Sequence, residues 1–475
     1  MITIAADTAL TEDGWQQNIQ LKIVDDKIDT IITDASAASA HHVQAAEADI
    51  HVPILLPAPC NLHSHAFQRA MAGLTEFRGS HGEDSFWTWR QLMYRFLDVL
   101  SPEDVQAIAA LVQMEMLEAG YAAIGEFHYL HHQADGTAYD DLAVMAAAIT
   151  DAAMETGIGL TLLPVLYQYG GCDQRPLEAG QRRFGCALDQ FYQLHDASAK
   201  LISDLPADAS IGVAPHSLRA VSHEGLMAVA AMSPHAPFHI HVAEQQAEVD
   251  EIKAHTGARP VEWLLDQVQV NARFCLIHAT QMVASETEAL AKSGAVVGLC
   301  PITESNLGDG IFDGARYMAH GGKIGIGSDS NIRIALAEEL RTLEYSQRLR
   351  DKKRNIMAGE ATSVGRHLWE AVNAGGHQAL ARHGGAIRSG AIRSGAICSG
   401  AWADLIALDS KALDLIHIGG DRILDSFIIA GDQSLVTDVW SAGRHMVIAG
   451  RHIHRDRITA AYASQVKSLR QMALS

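Results

Sequence analysis

Short runs of apolar, β-branched residues alternate with longer stretches of helical periodicity along most of this chain. The intervening stretches carry helix signals, such as Pro102 in the first turn and Gly120 just past the end of a helix predicted at 102–119. This alternation predicts an α/β protein in which eight parallel strands form a TIM-like (β/α)8 barrel. The predicted barrel strands are 54–60, 122–128, 159–166, 211–214, 237–242, 274–278, 295–300 and 323–328.

The two ends of the chain show a different pattern, with short strand-like patches close together and turns between them. These patches predict a small accessory β-sandwich domain built from both chain ends, with a helix from Thr459 closing the chain. The predicted division is residues 1–53 and 385–475 for the accessory domain and residues 54–384 for the barrel. Residues 385–400 repeat a Gly-Ala-Ile-Arg/Cys-Ser unit, which we interpret as a lengthened surface loop because the period is too short for a solenoid.

Composition and charge exclude several classes of protein. Apolar residues make up 48% of the 475 residues, but no run approaches the roughly 18 apolar residues of a membrane span. No basic segment precedes an apolar run at the start, and the six cysteines lack paired spacing, so we expect a cytoplasmic protein with reduced thiols. The net charge of −20 argues against nucleic acid and anionic membranes as partners. An anionic substrate would need a few local arginines or histidines.

Histidine pairs supply the first chemical signal. The chain has 25 histidines, so about one His-x-His pair is expected by chance, and position has to decide between candidates. Only the first pair directly follows the first predicted barrel strand, where barrel enzymes place their active sites. The three pairs are His63/His65, His239/His241 and His452/His454.

Three further strand ends carry candidate residues. His241 ends the fifth predicted strand and Glu244 follows in the loop, while His278 ends the sixth. Asp329 follows Gly325-Ile-Gly327-Ser after the eighth strand, and a helix N-cap is the alternative interpretation of this aspartate. Imidazoles with one carboxylate suit a hydrolytic site for one divalent metal, zinc or iron(II), which makes hydroxide available near neutral pH. The fourth strand end has no lysine, which favours one metal over two.

Longer motifs around these residues resemble the amidohydrolase superfamily, in its cytosine-deaminase-like branch with a single metal. A narrower resemblance, over almost the whole chain, is to the formimidoylglutamate deiminase family of histidine degradation. That family converts N-formimino-L-glutamate and water to N-formyl-L-glutamate and ammonia. The motifs that carry the resemblance are residues 61–73, 126–131, 214–219, 239–245 and 301–310.

The resemblance implies a role for each matching residue and a homodimer. His278 would polarise the group under attack, Glu244 would carry a proton to the imine nitrogen, and Asp329 would accept a proton from water. The implied metal ligands are His63, His65, His241 and Asp329. The implied substrate contacts are Gln68, Tyr129, His216 and Arg219. For Arg219 the alternative is a salt bridge to a neighbouring acid, and for Tyr129 it is simple packing.

Two other functions fit parts of the sequence. A deaminase of the same fold could act on guanine, cytosine or a triazine, because barrel loops set the substrate. A non-catalytic barrel scaffold is the alternative from another class, but such proteins tend to lose metal ligands and here all four candidates are present.

Overall fold

Two separate sheets organise the chain in the computed structural model, which describes residues 1–33, 48–76, 86–382 and 395–474. One sheet is the barrel and the other combines both chain ends. The strands are β1 Ile2–Thr11, β2 Gly14–Val24, β3 Lys27–Ile32, β4 Ile50–Pro57, β5 Cys60–Ser64, β6 Ala123–His128, β7 Gly159–Leu166, β8 Ser210–Ile211, β9 Ala214–Pro215, β10 Phe238–Val242, β11 Phe274–His278, β12 Val296–Leu299, β13 Lys323–Ile326, β14 Leu405–Leu408, β15 Val436–Ser441, β16 Arg444–Ile448 and β17 Arg451–His452.

The barrel has the predicted parallel strands. Its order is β10-β11-β12-β13-β5-β6-β7-β8, with β9 also paired to β7. Two isolated bridges, Val213 to Phe238 and Ser217 to His241, join the segment around β9 to β10 and close the sheet. The predicted fourth strand is split into β8 and β9, which both pair with β7 and together occupy one strand position of the barrel. Strands such as β6, β7 and β10 are buried along their whole length, as expected for strands covered by helices.

Helices follow most barrel strands. The helix predicted at 102–119 is confirmed, with a Ser101–Asp104 capping box at its start and Gly120 in the left-handed conformation at its end. Among the described residues, none of the helices is long and apolar enough to cross a membrane. The helices are α1 Phe86–Leu97, α2 Pro102–Ala119, α3 Val144–Thr156, α4 Leu188–Ser203, α5 His223–Met232, α6 Gln246–Thr256, α7 Pro260–Gln267, α8 Ala284–Lys292, α9 Pro301–Leu307, α10 Gly314–Ala319, α11 Leu336–Asp351, α12 Val364–Ala379, α13 Asp421–Ile429 and α14 Arg455–Leu474.

The second sheet, which we call the terminal sheet, contains strands from both ends as predicted. Its order is β17-β16-β15-β14-β4-β1-β2-β3, so hydrogen bonds join all eight strands into one continuous sheet. The prediction of one barrel strand at 54–60 was wrong, because residues 54–57 belong to β4 and pair with β1 and β14. Pro59 lacks an N–H and interrupts the run between β4 and β5. The chain therefore passes from the terminal sheet into the barrel at 58–59.

The pentapeptide repeat is described only at its end. Residues 385–394 of the predicted surface loop lie outside the described residues. In the described part, Ile397 is fully buried and its carbonyl accepts a hydrogen bond from the Glu12 N–H. This end of the repeat therefore packs on the terminal sheet, which corrects the expectation of a surface loop for 395–400.

A buried ion network connects the barrel to the terminal sheet. Arg382, just after α12, donates from Nε to Asp404 Oδ2 at 2.6 Å and from Nη2 to Asp208 Oδ2 at 2.8 Å. Arg444 on β16 also pairs with Asp208, at 2.7 Å. Asp404 and Asp208 are buried, so each charge depends on its partners for compensation.

We predict that Arg382→Met destabilises the protein by about 3–5 kcal/mol, because it removes the arginine that pairs with buried Asp404 and leaves buried Asp208 with Arg444 alone. Denaturant unfolding of the variant and the wild type measures the difference. The matched control is Arg457→Met, whose arginine is 63% exposed in its pair with Glu155. That exposed pair should contribute less than about 1 kcal/mol. Equal midpoints for the two variants would contradict a structural role for the network.

Candidate active site

The predicted site residues meet at the carboxyl ends of the barrel strands. His63 lies on β5 with His65 just beyond it, and His241 and His278 lie at the ends of β10 and β11. Asp329 follows β13, and the Ser64–Asp329 bridge places it beside the β5 histidines. Parallel strands point their carboxyl ends to one face of a barrel, so residues far apart in sequence converge there.

A close approach of two backbones fixes the position of Asp329. A Cβ atom on Gly327 would lie 2.7 Å from the His63 carbonyl oxygen, so glycine is needed at this crossing. That oxygen accepts hydrogen bonds from the Ser328 N–H at 3.1 Å and the Asp329 N–H at 3.0 Å. Asp329 and His278 both adopt positive φ, 47° and 68°. Such strained backbone concentrates at functional sites, and here it turns both side chains into the barrel mouth.

Four side chains have the spacing of a metal site. His63 Nε2 lies 3.1 Å from His241 Nε2, and Asp329 Oδ1 lies 3.3 Å from His65 Nε2 and 3.5 Å from His63 Nε2. Their ligand atoms all fall within 4.8 Å of one another. Ligands around tetrahedral zinc with bonds of about 2.0–2.1 Å lie about 3.3–3.4 Å apart. The geometry fits one divalent cation, and we refer to these four residues as the ligand set.

Hydrogen bonds to the outer nitrogens orient two of the imidazoles. The His65 Nδ1–H donates to the Phe127 carbonyl at 3.1 Å, and the His241 Nδ1–H donates to the His216 carbonyl at 3.1 Å. Each ring therefore presents an unprotonated Nε2 to the centre when it is neutral. Burial lowers the pKa of His63 to about 3 and also lowers the pKa of His65 and His241. Neutral, inward-facing imidazoles are what a metal requires of its histidine ligands.

An acid–base group lies beside the ligand set. His278 Nε2 is 3.8 Å from Glu244 Oε1 and 3.7 Å from Asp329 Oδ2. Burial raises the pKa of Glu244. For His278, burial opposes the charge, but the carboxylates of Glu244, Glu304 and Asp329 raise its pKa well above the ordinary value. Titratable groups that lie in a cleft and have shifted pKa values are typical of sites that transfer protons.

A pocket above the ligand set contains the predicted substrate contacts. It holds about 570 Å³ of space, including its open mouth, and is lined by Gln68, Tyr129, His216 and Arg219. Gln68 Nε2 donates to the Tyr129 hydroxyl at 2.8 Å. Among the described residues, no carboxylate oxygen lies within 4.0 Å of the Arg219 guanidinium, so the alternative of a salt bridge is not observed.

Sequence reasoning missed other residues of this region. Arg90 and Tyr167 also line the pocket, and Arg90 donates to the Tyr167 hydroxyl at 3.3 Å. Glu304 hydrogen-bonds His278 from below. Arg90 lies in an amphipathic stretch without a strand end beside it, so no positional signal was available. Glu304 lay within a motif already noted, but only the fold shows which histidine it contacts.

The remaining His-x-His residues lie elsewhere. The His239 Nε2 is 2.9 Å from the Ala379 carbonyl, and His239 does not line the pocket. His452 is part of β17 in the terminal sheet, where its Nε2 is 2.9 Å from the Thr156 carbonyl. Their positions agree with the expectation that spacing alone does not select metal ligands.

Comparison with known proteins identifies the family of this chain. Residues 54–365 match the model of the amidohydrolase family, and residues 1–45 match the N-terminal domain of formimidoylglutamate deiminase HutF. Formimidoylglutamate deiminase of Pseudomonas aeruginosa is 44% identical over 99% of this chain and 100% of its own length. A 5-methylthioadenosine/S-adenosylhomocysteine deaminase of Archaeoglobus fulgidus is 26% identical over 73% of this chain and 75% of its own length.

Solved structures share the fold. An amidohydrolase from Brucella melitensis has 44% identity and a TM-score of 0.91, covering 99% of this chain and 100% of its own. A zinc-bound adenosine deaminase from Xanthomonas campestris has 20% identity and a TM-score of 0.79, covering 99% and 98% of the two chains. The chain is thus a member of the metal-dependent amidohydrolase family, whose enzymes hydrolyse C–N bonds. Within that family it belongs to the formimidoylglutamate deiminases.

We predict that purified protein carries about one divalent metal ion per chain and that His241→Ala loses it, because three ligands hold such a cation less tightly than four. Elemental analysis after dialysis measures the content. His454→Ala is the control, since this histidine lies in the turn after β17. Full metal content in His241→Ala would remove His241 from the ligand set.

Proposed function

We propose that this enzyme hydrolyses N-formimino-L-glutamate to N-formyl-L-glutamate and ammonia, using the ligand set, Glu244 and His278 for the chemistry. The observation that carries the choice of substrate is the Arg219 guanidinium, which faces the pocket without a carboxylate partner among the described residues. A planar guanidinium offers two parallel donors that fit one carboxylate. A carboxylate of the substrate would provide the acceptor that Arg219 lacks among the described residues.

A second cation supports a substrate with two carboxylates. Arg90 lines the same pocket, and its Nη2 reaches the Tyr167 hydroxyl at 3.3 Å. The protein has a net charge of −20, so attraction for a dianion has to come from such local groups. A flat neutral base such as guanine would offer no carboxylate to the Arg219 guanidinium. Gln68 and Tyr129 supply neutral polar atoms in the same pocket, and the Tyr129 ring lies 4.8 Å from the His65 ring.

In this proposal, Asp329, Glu244 and His278 each have a different role in the reaction. A divalent cation held by the ligand set would activate water as a nucleophile at neutral pH. Asp329 would accept the proton of the attacking water, and its Oδ2 lies 3.7 Å from His278 Nε2. Because burial raises the pKa of Glu244, its carboxyl group can carry a separate proton and deliver it to the leaving nitrogen. The proton taken up by Asp329 would then restore the protonated form of Glu244 for the next turnover. His278 would stabilise charge on the attacked group.

Zinc is the native metal in this proposal, with iron(II) as the alternative. Three imidazoles and one carboxylate are a ligand set that both ions accept.

The six free cysteines fit a reducing compartment, which supports a cytoplasmic location. The homodimer implied by the family resemblance stays a prediction.

We predict that the wild type releases ammonia from N-formimino-L-glutamate at least about 100-fold faster, by kcat/KM, than from guanine or cytosine, because only the former neutralises the pocket arginines. Arg219→Met should raise KM about 10- to 100-fold, since a charged hydrogen bond of about 1.5–3 kcal/mol is lost. Arg182→Met is the control, since Arg182 is an exposed arginine that does not line the pocket. A preference for guanine would overturn the substrate assignment.

We predict that Glu244→Gln lowers kcat about 100-fold or more while metal content stays at the wild-type level, because the amide transfers no proton to the leaving nitrogen. Ammonia release and elemental analysis on the same preparation provide the two readouts. Glu251→Gln, further along α6, is the matched control. Loss of metal from Glu244→Gln would make Glu244 a ligand instead.

A further inference from the structure

The motif at 301–310 contains a buried carboxylate with no role in the chemistry described so far. Glu304 lies in the first turns of α9, directly after β12, and is only 6% exposed. Its Oε1 is 3.2 Å from His278 Nδ1 and also accepts the Cys300 N–H at 2.9 Å. One oxygen thus contacts both the backbone at the helix start and a side chain of the proposed site.

The contact determines which way the His278 ring faces. A carboxylate that accepts from Nδ1–H fixes both the rotation of the ring and the nitrogen that faces the opposite direction. Here the opposite nitrogen, Nε2, points between Glu244 and Asp329, at 3.8 and 3.7 Å. Among the described contacts of His278, Glu304 is the acceptor nearest to Nδ1.

We propose that Glu304 is a positioning residue for the reaction, which holds His278 so that Nε2 faces the group under attack. This inference rests on the proposed function for its substrate. Glu304 does not line the pocket, so any effect on turnover has to pass through another side chain. The geometry assigns that role to His278.

A purely structural role for Glu304 is the competing explanation. Its carboxylate accepts the N–H of the residue before α9, as a helix-capping acid does. Glu339 offers a matched comparison, because its Oε2 accepts the Ile302 N–H of the same helix start at 2.8 Å and it is fully buried. Glu339 does not line the pocket and has no hydrogen bond to His278 among the described contacts.

The test is a double-mutant cycle of Glu304→Gln and His278→Asn, with Glu339→Gln as control. Glutamine keeps an acceptor oxygen for the Cys300 N–H but removes the negative charge that holds His278. We expect E304Q to lower kcat for N-formimino-L-glutamate about 10- to 100-fold, with KM within about twofold and metal content unchanged. In the H278N background, E304Q should lower kcat by less than about twofold, because groups that act as one unit are non-additive. E339Q should leave kcat close to that of the wild type.

With an active wild type, three results would overturn the positioning role of Glu304. Wild-type kcat in E304Q would mean that the ring needs no such partner. The same fold-loss from E304Q in both backgrounds would mean that Glu304 acts independently of His278. An E304Q protein that lost its metal or its fold would assign the carboxylate to the ligand set or to the helix start. A wild type inactive on N-formimino-L-glutamate would contradict the proposed function instead, and the same cycle would then be measured with guanine or cytosine if either releases ammonia.

Discussion

The approach of β13 to β5 is the constraint on which the site depends. These strands come from positions more than 250 residues apart, and a single register pair, Ile326 with Asn61, joins them. The crossing is held by side chains as well, because Asn61 Nδ2 donates to Ser328 Oγ at 2.7 Å and Asn331 Nδ2 donates to Ser64 Oγ at 3.1 Å. A larger residue than glycine at 327 would separate the strands and move Asp329 away from the histidines. The contact that joins the last barrel strand in sequence, β13, to the first, β5, therefore also brings the ligand set together.

The pairing of β13 with β5 also places several carboxylates in a region from which solvent is largely excluded. Glu244, Glu304, Asp309, Asp329 and Glu339 are all at most 6% exposed at the barrel mouth. Burial, with contributions from Glu244, raises the pKa of Asp309 to about 9, while the histidines keep the pKa of Asp329 low despite its burial. Isolated buried carboxylates are costly, so such a cluster requires protons or cations for compensation. A divalent ion within the ligand set would supply that compensation at the point where the chemistry needs it.

The sequence predicted the parts that follow from strand periodicity. Residues at strand ends were identified because a barrel places every such end at one mouth, and His63, His241 and Asp329 met there. The division of 50–64 between two sheets was not predictable from hydrophobicity, because the second half of β4 and all of β5 are buried and only Ala58 and Pro59 separate them. Arg90 was missed since its contact with the pocket depends on how α1 packs over the mouth. Such contacts depend on tertiary packing and leave no periodic signal.

Chemistry and recognition are carried by different parts of the chain, which explains how one fold serves several substrates. The ligand set lies at strand ends, where the barrel brings His63 Nε2 to 3.1 Å from His241 Nε2 and His65 Nε2 to 3.3 Å from Asp329 Oδ1. Arg90 and Arg219 belong to α1 and to the segment after β9, which can change without disturbing the strands. The adenosine deaminase from Xanthomonas campestris keeps the fold at 20% identity, so the fold itself tolerates extensive change in sequence. In the proposed function, Arg90 and Arg219 bind the carboxylates of the substrate, and substitutions at those positions should change specificity before they change the reaction.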